Sequence, residues 1–268
     1  MAGLFTWLFG GKRARDAARK SVGEAGPTVR QTMSGSVGEA GPTVKQTDRE
    51  SRAWALIRLG IGCRLRGDLD AAFRHFKKAS EVFWELQDKV GLQGSLGNQA
   101  VILRARGDLD GAMALYKEQE RICRELGNKD GLQTSLGNQA VILYARGDLD
   151  GAMALYKEQE RICRELGNKD GLQASLGNQA VILKARGDLD GAMALHKEKE
   201  RICRDLGNPE GLAASLANQA NLLSTKLNQH RQALPLAEEA CRLATNHGLG
   251  TLANWTKSVL DMVRSRAK

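Results

Sequence analysis

The residues best suited to chemistry in this chain are four histidines and five cysteines. His75, His196, His230 and His247 are scattered, and Cys63, Cys123, Cys163, Cys203 and Cys241 form no Cys-x-x-Cys or Cys/His pair with metal-ligand spacing. A Gly-rich phosphate loop and an HExxH pair are both absent from the sequence. Asp148 and Asp150 lie close together, but Asp-Leu-Asp-Gly lacks the rest of a calcium loop, and both acids suit a helix start. These patterns point to no enzyme, no metal and no other cofactor. Arg-Gly-Asp begins at Arg66, Arg106, Arg146 and Arg186, where a turn accounts for it better than adhesion does. Carboxamides also recur, at Asn98, Asn138, Asn178 and Asn218, and an amide offers a peptide unit both a donor and an acceptor.

All these recurrences have one source. Residues 91–130 and 131–170 are the same forty-residue sentence, differing at Gly94/Thr134 and Arg104/Tyr144. Residues 171–210 differ from the central copy at seven positions, and degraded copies cover about 51–90 and 211–250. A period of this length signals a repeat array. Each copy holds two apolar stripes at helical spacing: Leu132, Leu136, Ala140 and Leu143, then Leu149, Ala152, Met153, Tyr156, Cys163 and Leu166. Gly147 suits the left-handed residue that ends the first helix, and Asp148 suits the N-cap of the second. Gly167 and Asn168 close that helix and cap the next, which places Pro209 at a first helical position.

Leu136, Ala140, Leu143, Gly147, Ala152 and Tyr156 resemble the pattern of the tetratricopeptide repeat family, as do Leu56, Leu59, Gly60, Gly67, Ala72, Phe76 and Ala79. Gln159 departs from it, standing where the family places a small residue. The forty-residue period and the Leu-Gly-Asn run are similar to the long-helix subgroup of Pins-type regulators and, more distantly, to kinesin light chains. The resemblance implies an all-α, right-handed α-solenoid of about five helix-turn-helix units over residues 51–268. It further implies a concave groove lined by first helices, in which the asparagines contact the backbone of a bound peptide. The alternative, that these amides bond only within the array, stands beside it. Arg104, Tyr144 and Lys184, the variable position, are expected to point into the same groove and set selectivity.

The net charge of +9 divides unevenly. Residues 1–50 and 51–90 each carry +3, residues 91–210 together −1, residues 211–250 +1, and residues 251–268 +3. With 4% aromatics and no continuous basic stripe, a nucleic-acid partner is not expected. Cysteines one helix-pair layer apart, about 10 Å, lie beyond disulfide reach, so buried thiols in a reducing, cytoplasmic setting are expected.

The ends differ from the middle. Residues 1–20 join an apolar run containing Phe5, Trp7 and Phe9 to basic residues, which suits either a frayed terminus or an anchor on an acidic membrane surface or partner. The run is too short to span a bilayer and lacks the order of a secretory signal. Residues 21–50 contain SVGEAGPTVRQT and its near copy SVGEAGPTVKQT, a flexible linker by composition. The first unit carries extra aromatics, Trp54, Phe73, Phe76, Phe83 and Trp84, and the fifth carries one extra residue and Pro235. Residues 251–268 place Leu252, Trp255, Val259 and Met262 on one face, similar to the capping helix that ends arrays of this family. The sequence therefore reads as one elongated array acting as a protein-interaction adaptor. The alternative is a spacer or self-associating array brought to a membrane by its N-terminus.

Overall fold

The computed structural model describes residues 44–267, which form eleven helices and no strand. In chain order they are α1 (Val44–Leu65), α2 (Leu69–Glu85), α3 (Lys89–Ala105), α4 (Leu109–Leu126), α5 (Lys129–Ala145) and α6 (Leu149–Leu166). Then follow α7 (Lys169–Ala185), α8 (Leu189–Asp205), α9 (Pro209–Thr225), α10 (His230–Asn246) and α11 (Gly250–Arg266). Phe5, Trp7 and Phe9, with most of the duplicated linker, lie outside the described residues. α1 begins at Val44, so the last residues of the second linker copy are already helical.

The helix boundaries follow from local chemistry. Gly147 adopts φ +82°, which an L side chain resists, and Asp148 accepts a hydrogen bond from the Gly151 amide at 2.8 Å. The same cap recurs at Asp68, Asp108 and Asp188. Gly167 is left-handed at φ +64°, and Asn168 accepts from the Gly171 amide at 2.9 Å. Arg146 forms an ion pair with Asp110 of the preceding repeat, as Arg106 does with Asp70. At Arg106 and Arg146 the Arg-Gly-Asp is thereby a tie, a turn and a cap. Asp110, unlike Asp108, is a first-turn acid that receives this tie rather than a cap. In the fifth repeat Asn228 takes the left-handed position, Gln229 makes no side-chain cap bond, and Pro235 falls inside α10.

The residues divide into two compact units, 41–182 and the one containing 183–267. In the first, antiparallel helix pairs bury Ala100, Ala112, Met113, Tyr116 and Ile142 in one cluster and Cys123, Leu132, Leu136 and Ile162 in another. Both clusters join residues of successive repeats, so neighbouring repeats share a core. A polar ladder runs through the same joints. Ser135 Oγ donates to the Tyr116 carbonyl at 2.7 Å, and Gln139 Nε2 donates to Glu120 Oε2 at 2.7 Å. Ser175 and Gln179 repeat these bonds on Tyr156 and Glu160.

Gln159 is accommodated by exchange. The small residue missing from α6 is supplied across the pair by Gly137, where a Cβ would stand 2.5 Å from Gln159 Nε2; Gly97 does the same for Gln119. Two leucines of these patterns, Leu59 of the family pattern and Leu166 of the second apolar stripe, are not core residues: Leu59 is 54% exposed and Leu166 38% exposed. Of the extra aromatics, Phe76 and Phe83 are fully buried, Trp54 meets Phe83 edge-on at 5.0 Å, and Trp84 is 65% exposed.

In the second unit, Ser215 and Gln219 form the ladder on His196 and Glu200. α11 covers Ala220, Leu223, Ala233 and Ala237 with Val259, Leu260 and Val263, while Leu252 meets Ala213 and Ala244. Its buried face is Leu252, Thr256, Val259, Leu260 and Val263, so Trp255 and Met262 flank that face rather than lead it. All five cysteines are free, and Cys123 and Cys163 are buried with thiol pKa values pushed up to about 11, chiefly by desolvation.

Candidate peptide-binding face

Asn98, Asn138 and Asn178 occupy the same half-buried position of α3, α5 and α7 in the first unit, and Asn218 occupies it on α9 in the second. Three of them serve their own helix before anything else. Asn98 Nδ2 donates to the Gly94 carbonyl at 2.9 Å, Asn138 to Thr134 at 3.0 Å, and Asn218 to Ala214 at 3.0 Å. One amide hydrogen is thus spent on fixing the side chain. The second hydrogen remains, and the oxygens of Asn98 and Asn218 accept no hydrogen bond from the described residues. A fixed amide loses less rotamer freedom when a ligand arrives.

The variable position meets the ladder between repeats. Arg104 Nη1 donates to Asn138 Oδ1 at 3.0 Å, so the end of α3 reaches the middle of α5. Arg104, Tyr144 and Lys184 are all half-buried. Behind them stand second-helix residues to which the sequence reading gave no part in the groove. Tyr116 is buried without a partner for its hydroxyl, and desolvation, partly offset by Arg104, pushes its pKa up to about 12. Burial also raises Tyr156, with Arg104 opposing and Tyr144 reinforcing. In the second unit, desolvation and then Lys226 lower the pKa of Lys184. Beneath, His196 is 2% exposed, and its pKa falls to about 3 through burial first, then Lys199 and Lys184. Repeat-to-repeat change at 116, 156 and 196 (Tyr, Tyr, His) was the signal that could have revealed this layer.

Beyond the first turn, charge on α3, α5, α7 and α9 has one sign. Residues 91–105, 131–145, 171–185 and 211–225 contain no aspartate or glutamate; their charged side chains are Arg104 and Lys184. Acids on the second helices form exposed pairs such as Lys89–Glu125, Lys129–Glu165, Arg124–Glu158 and Arg204–Glu239, each 2.9–3.0 Å apart. Among the described residues no cluster of three metal-ligating side chains occurs, and no helix is long and apolar enough to cross a membrane.

A family model described as tetratricopeptide repeat matches residues 93–118 and 133–158, each spanning most of a first helix, its turn and half of a second helix. These are tetratricopeptide repeats. No curated protein matches the chain significantly in sequence. Among solved structures, BtubC (BKLC) from P. vanneervenii superposes with a TM-score of 0.59 at 19% identity, covering 76% of this chain and 90% of that one. Nearly identical TPR-like repeats from a Podosopora anserina protein assigned as a kinesin light chain give 0.61 at 17%, covering 75% and 99%. The Rap conjugation gene regulator of plasmid pLS20, in complex with the Phr* peptide, gives 0.59 at 14%, covering 90% and 66%. At these identities the likeness is one of tetratricopeptide fold.

Proposed function

We propose that the chain is a protein-interaction adaptor whose first-helix face binds a peptide or helical segment of a partner, with acidic side chains beside Arg104 and Lys184. The observation that carries this reading is the row of oriented, half-buried asparagine amides at Asn98, Asn138 and Asn218, on helices with no acidic residue beyond their first turn. Asparagine grips the ligand backbone, which is indifferent to sequence, and position 104/144/184 reads side chains. The peptide bound by the Rap regulator gives the reading a precedent in a similar fold. A partner carboxylate at Arg104 would compete with Asn138 for the guanidinium and gain a charge-assisted bond. Attachment to a membrane through Phe5, Trp7 and Phe9 remains a separate proposal, tested by sedimenting full-length protein with acidic vesicles after all three are changed to Ser.

The groove is tested with a ligand obtained by crosslinking the full chain to its partners. Asn98→Ala with Asn138→Ala should weaken that ligand by roughly tenfold or more, since each lost hydrogen bond is worth about 0.5–1.5 kcal/mol. Melting should move little, because such partly exposed changes stay within about 0.5 kcal/mol. A melt that collapses while binding per folded molecule is unchanged would reduce the ladder to a structural network.

A further inference from the structure

The first helices of the third, fourth and fifth repeats each carry two groups that read the repeat before them, and in α3 Gln99 alone does so, on Ser80. Ser135 and Gln139 do so in α5, Ser175 and Gln179 in α7, and Ser215 and Gln219 in α9, each on the preceding second helix. In α1 the corresponding residues are Ala55 and Leu59, and Gly62 stands where α5 has Ile142. The helix edge that would meet a preceding repeat therefore lacks its hydrogen-bonding readers. It is a trough of small residues beside Leu59, 54% exposed, with Leu65 at 46% on its border.

Three exposed arginines frame this trough. Arg52 stands one turn before Ala55, Arg66 one turn after Gly62, and Arg58 replaces the ladder asparagine. Arg52 pairs with Asp48 at 2.8 Å, Arg66 contacts only the Cys63 sulfur at 3.4 Å, and Arg58 has no acidic partner among the described residues. The last helix is different. Asn254, Lys257, Ser258 and Asp261 are exposed on α11, giving a mixed polar surface, so apolar exposure is not a general consequence of ending a helix series.

We propose that this edge of α1 docks an acidic amphipathic helix from a partner protein, its apolar ridge lying in the trough and its carboxylates on Arg52, Arg58 and Arg66. Small residues allow a large ridge to approach closely, as in ridge-into-groove helix packing. Framing charges then select an acidic partner and speed its encounter. A second copy of the same edge would bring like-charged arginines together, and a second helix of another repeat would find neither the serine nor the glutamine that receives it.

The test uses the full chain and a fluorescein-labelled synthetic helix with a leucine stripe flanked by glutamates, with a lysine-flanked version as control. Anisotropy should show saturable binding of the acidic helix that weakens with salt, and no binding of the lysine version. Leu59→Gln, which installs the interior residue, and Arg58→Glu should each weaken binding at least tenfold, about 1.4 kcal/mol. Asn98→Ala with Asn138→Ala should leave it unchanged, which separates this edge from the groove. Absence of binding, equal binding of the lysine helix, or a loss confined to the asparagine variant would overturn the proposal. Self-association abolished by Leu59→Gln would overturn it too, by assigning the edge to a second copy.

Discussion

Gly137 and Gln159 share a space that the family pattern divides the other way. In the fifth repeat the corresponding residues are Ala217 and Ala240, which lie in one buried cluster. Gly137→Ala alone should cost about 1–3 kcal/mol, because the new methyl displaces an amide held 3.3 Å from Gln133 Oε1. Gly137→Ala with Gln159→Ala should recover most of it, and a double-mutant cycle in urea should return a coupling of at least about 1 kcal/mol. Additive costs would mean the two side chains do not compete. His196 makes the other residue-scale prediction. Its folded pKa of about 3 lies below the ordinary value of 6.5, so the unfolded chain takes up the proton first as pH falls. Stability from this residue is complete above pH 6.5 and is lost as pH drops from 6.5 towards 3, by up to about 1.4 kcal/mol per pH unit. His196→Phe, the residue type of Phe76, should flatten the melting-temperature profile over that window relative to the unmodified chain. Parallel profiles would show that the ring is not desolvated.

At the scale of helices, the Arg-Gly-Asp turns divide their labour. Asp148→Ala removes the cap of α6 and should cost about 1 kcal/mol, and Gly147→Ala, at φ +82°, a comparable amount. Arg146→Ala removes an exposed ion pair to Asp110 and should stay within about 1 kcal/mol, nearer zero in high salt. Chemical denaturation of the three variants checks the order, and an arginine variant as damaged as the aspartate one would contradict it. These turns were legible in the sequence because Gly147, Asp148, Gly167, Asn168 and Pro209 act on their immediate neighbours. What two helices do to each other was not. Gln159 looked like a defect because its compensating glycine lies 22 residues earlier on another helix. Leu59 fits a core pattern, yet the helix that would cover it is not among those described. The asparagine ladder was placed correctly on the first helices. Its bonds to Gly94, Thr134 and Ala214, and the reach of Arg104 to Asn138, depend on backbone position and on a neighbouring repeat.

For the molecule as a whole, the charge pattern acquires a cause. The middle of the chain is near neutral because its acids and bases are matched across the second helices, and α1 retains arginines without acidic counterparts. The C-terminal helix makes a prediction on the same scale. Deleting residues 251–268 removes Leu252, Val259, Leu260 and Val263 from the core, and a fully buried large aliphatic side chain is worth about 1.5–3 kcal/mol. At about 2–4 °C per kcal/mol, calorimetry should show a drop of well over several degrees, with new dye-binding apolar surface. An unchanged melt would mean that α11 is not docked in solution.

The polar ladder between repeats has one more consequence. Ser135 on Tyr116 and Ser175 on Tyr156 are the same lock and key, as are Gln139 on Glu120 and Gln179 on Glu160. Neither of these two joints therefore records its own ordinal number. Excising residues 131–170 would bring Ser175 and Gln179 onto Tyr116 and Glu120 with no mismatched group, so a gene could gain or lose whole units without inventing a surface. The same degeneracy acts against a chain as it folds. α7 can seat on α4 as readily as α5 can, stranding forty residues as a loop, and each seat is chemically correct. Only the completeness of the whole row separates the native register from the slipped one.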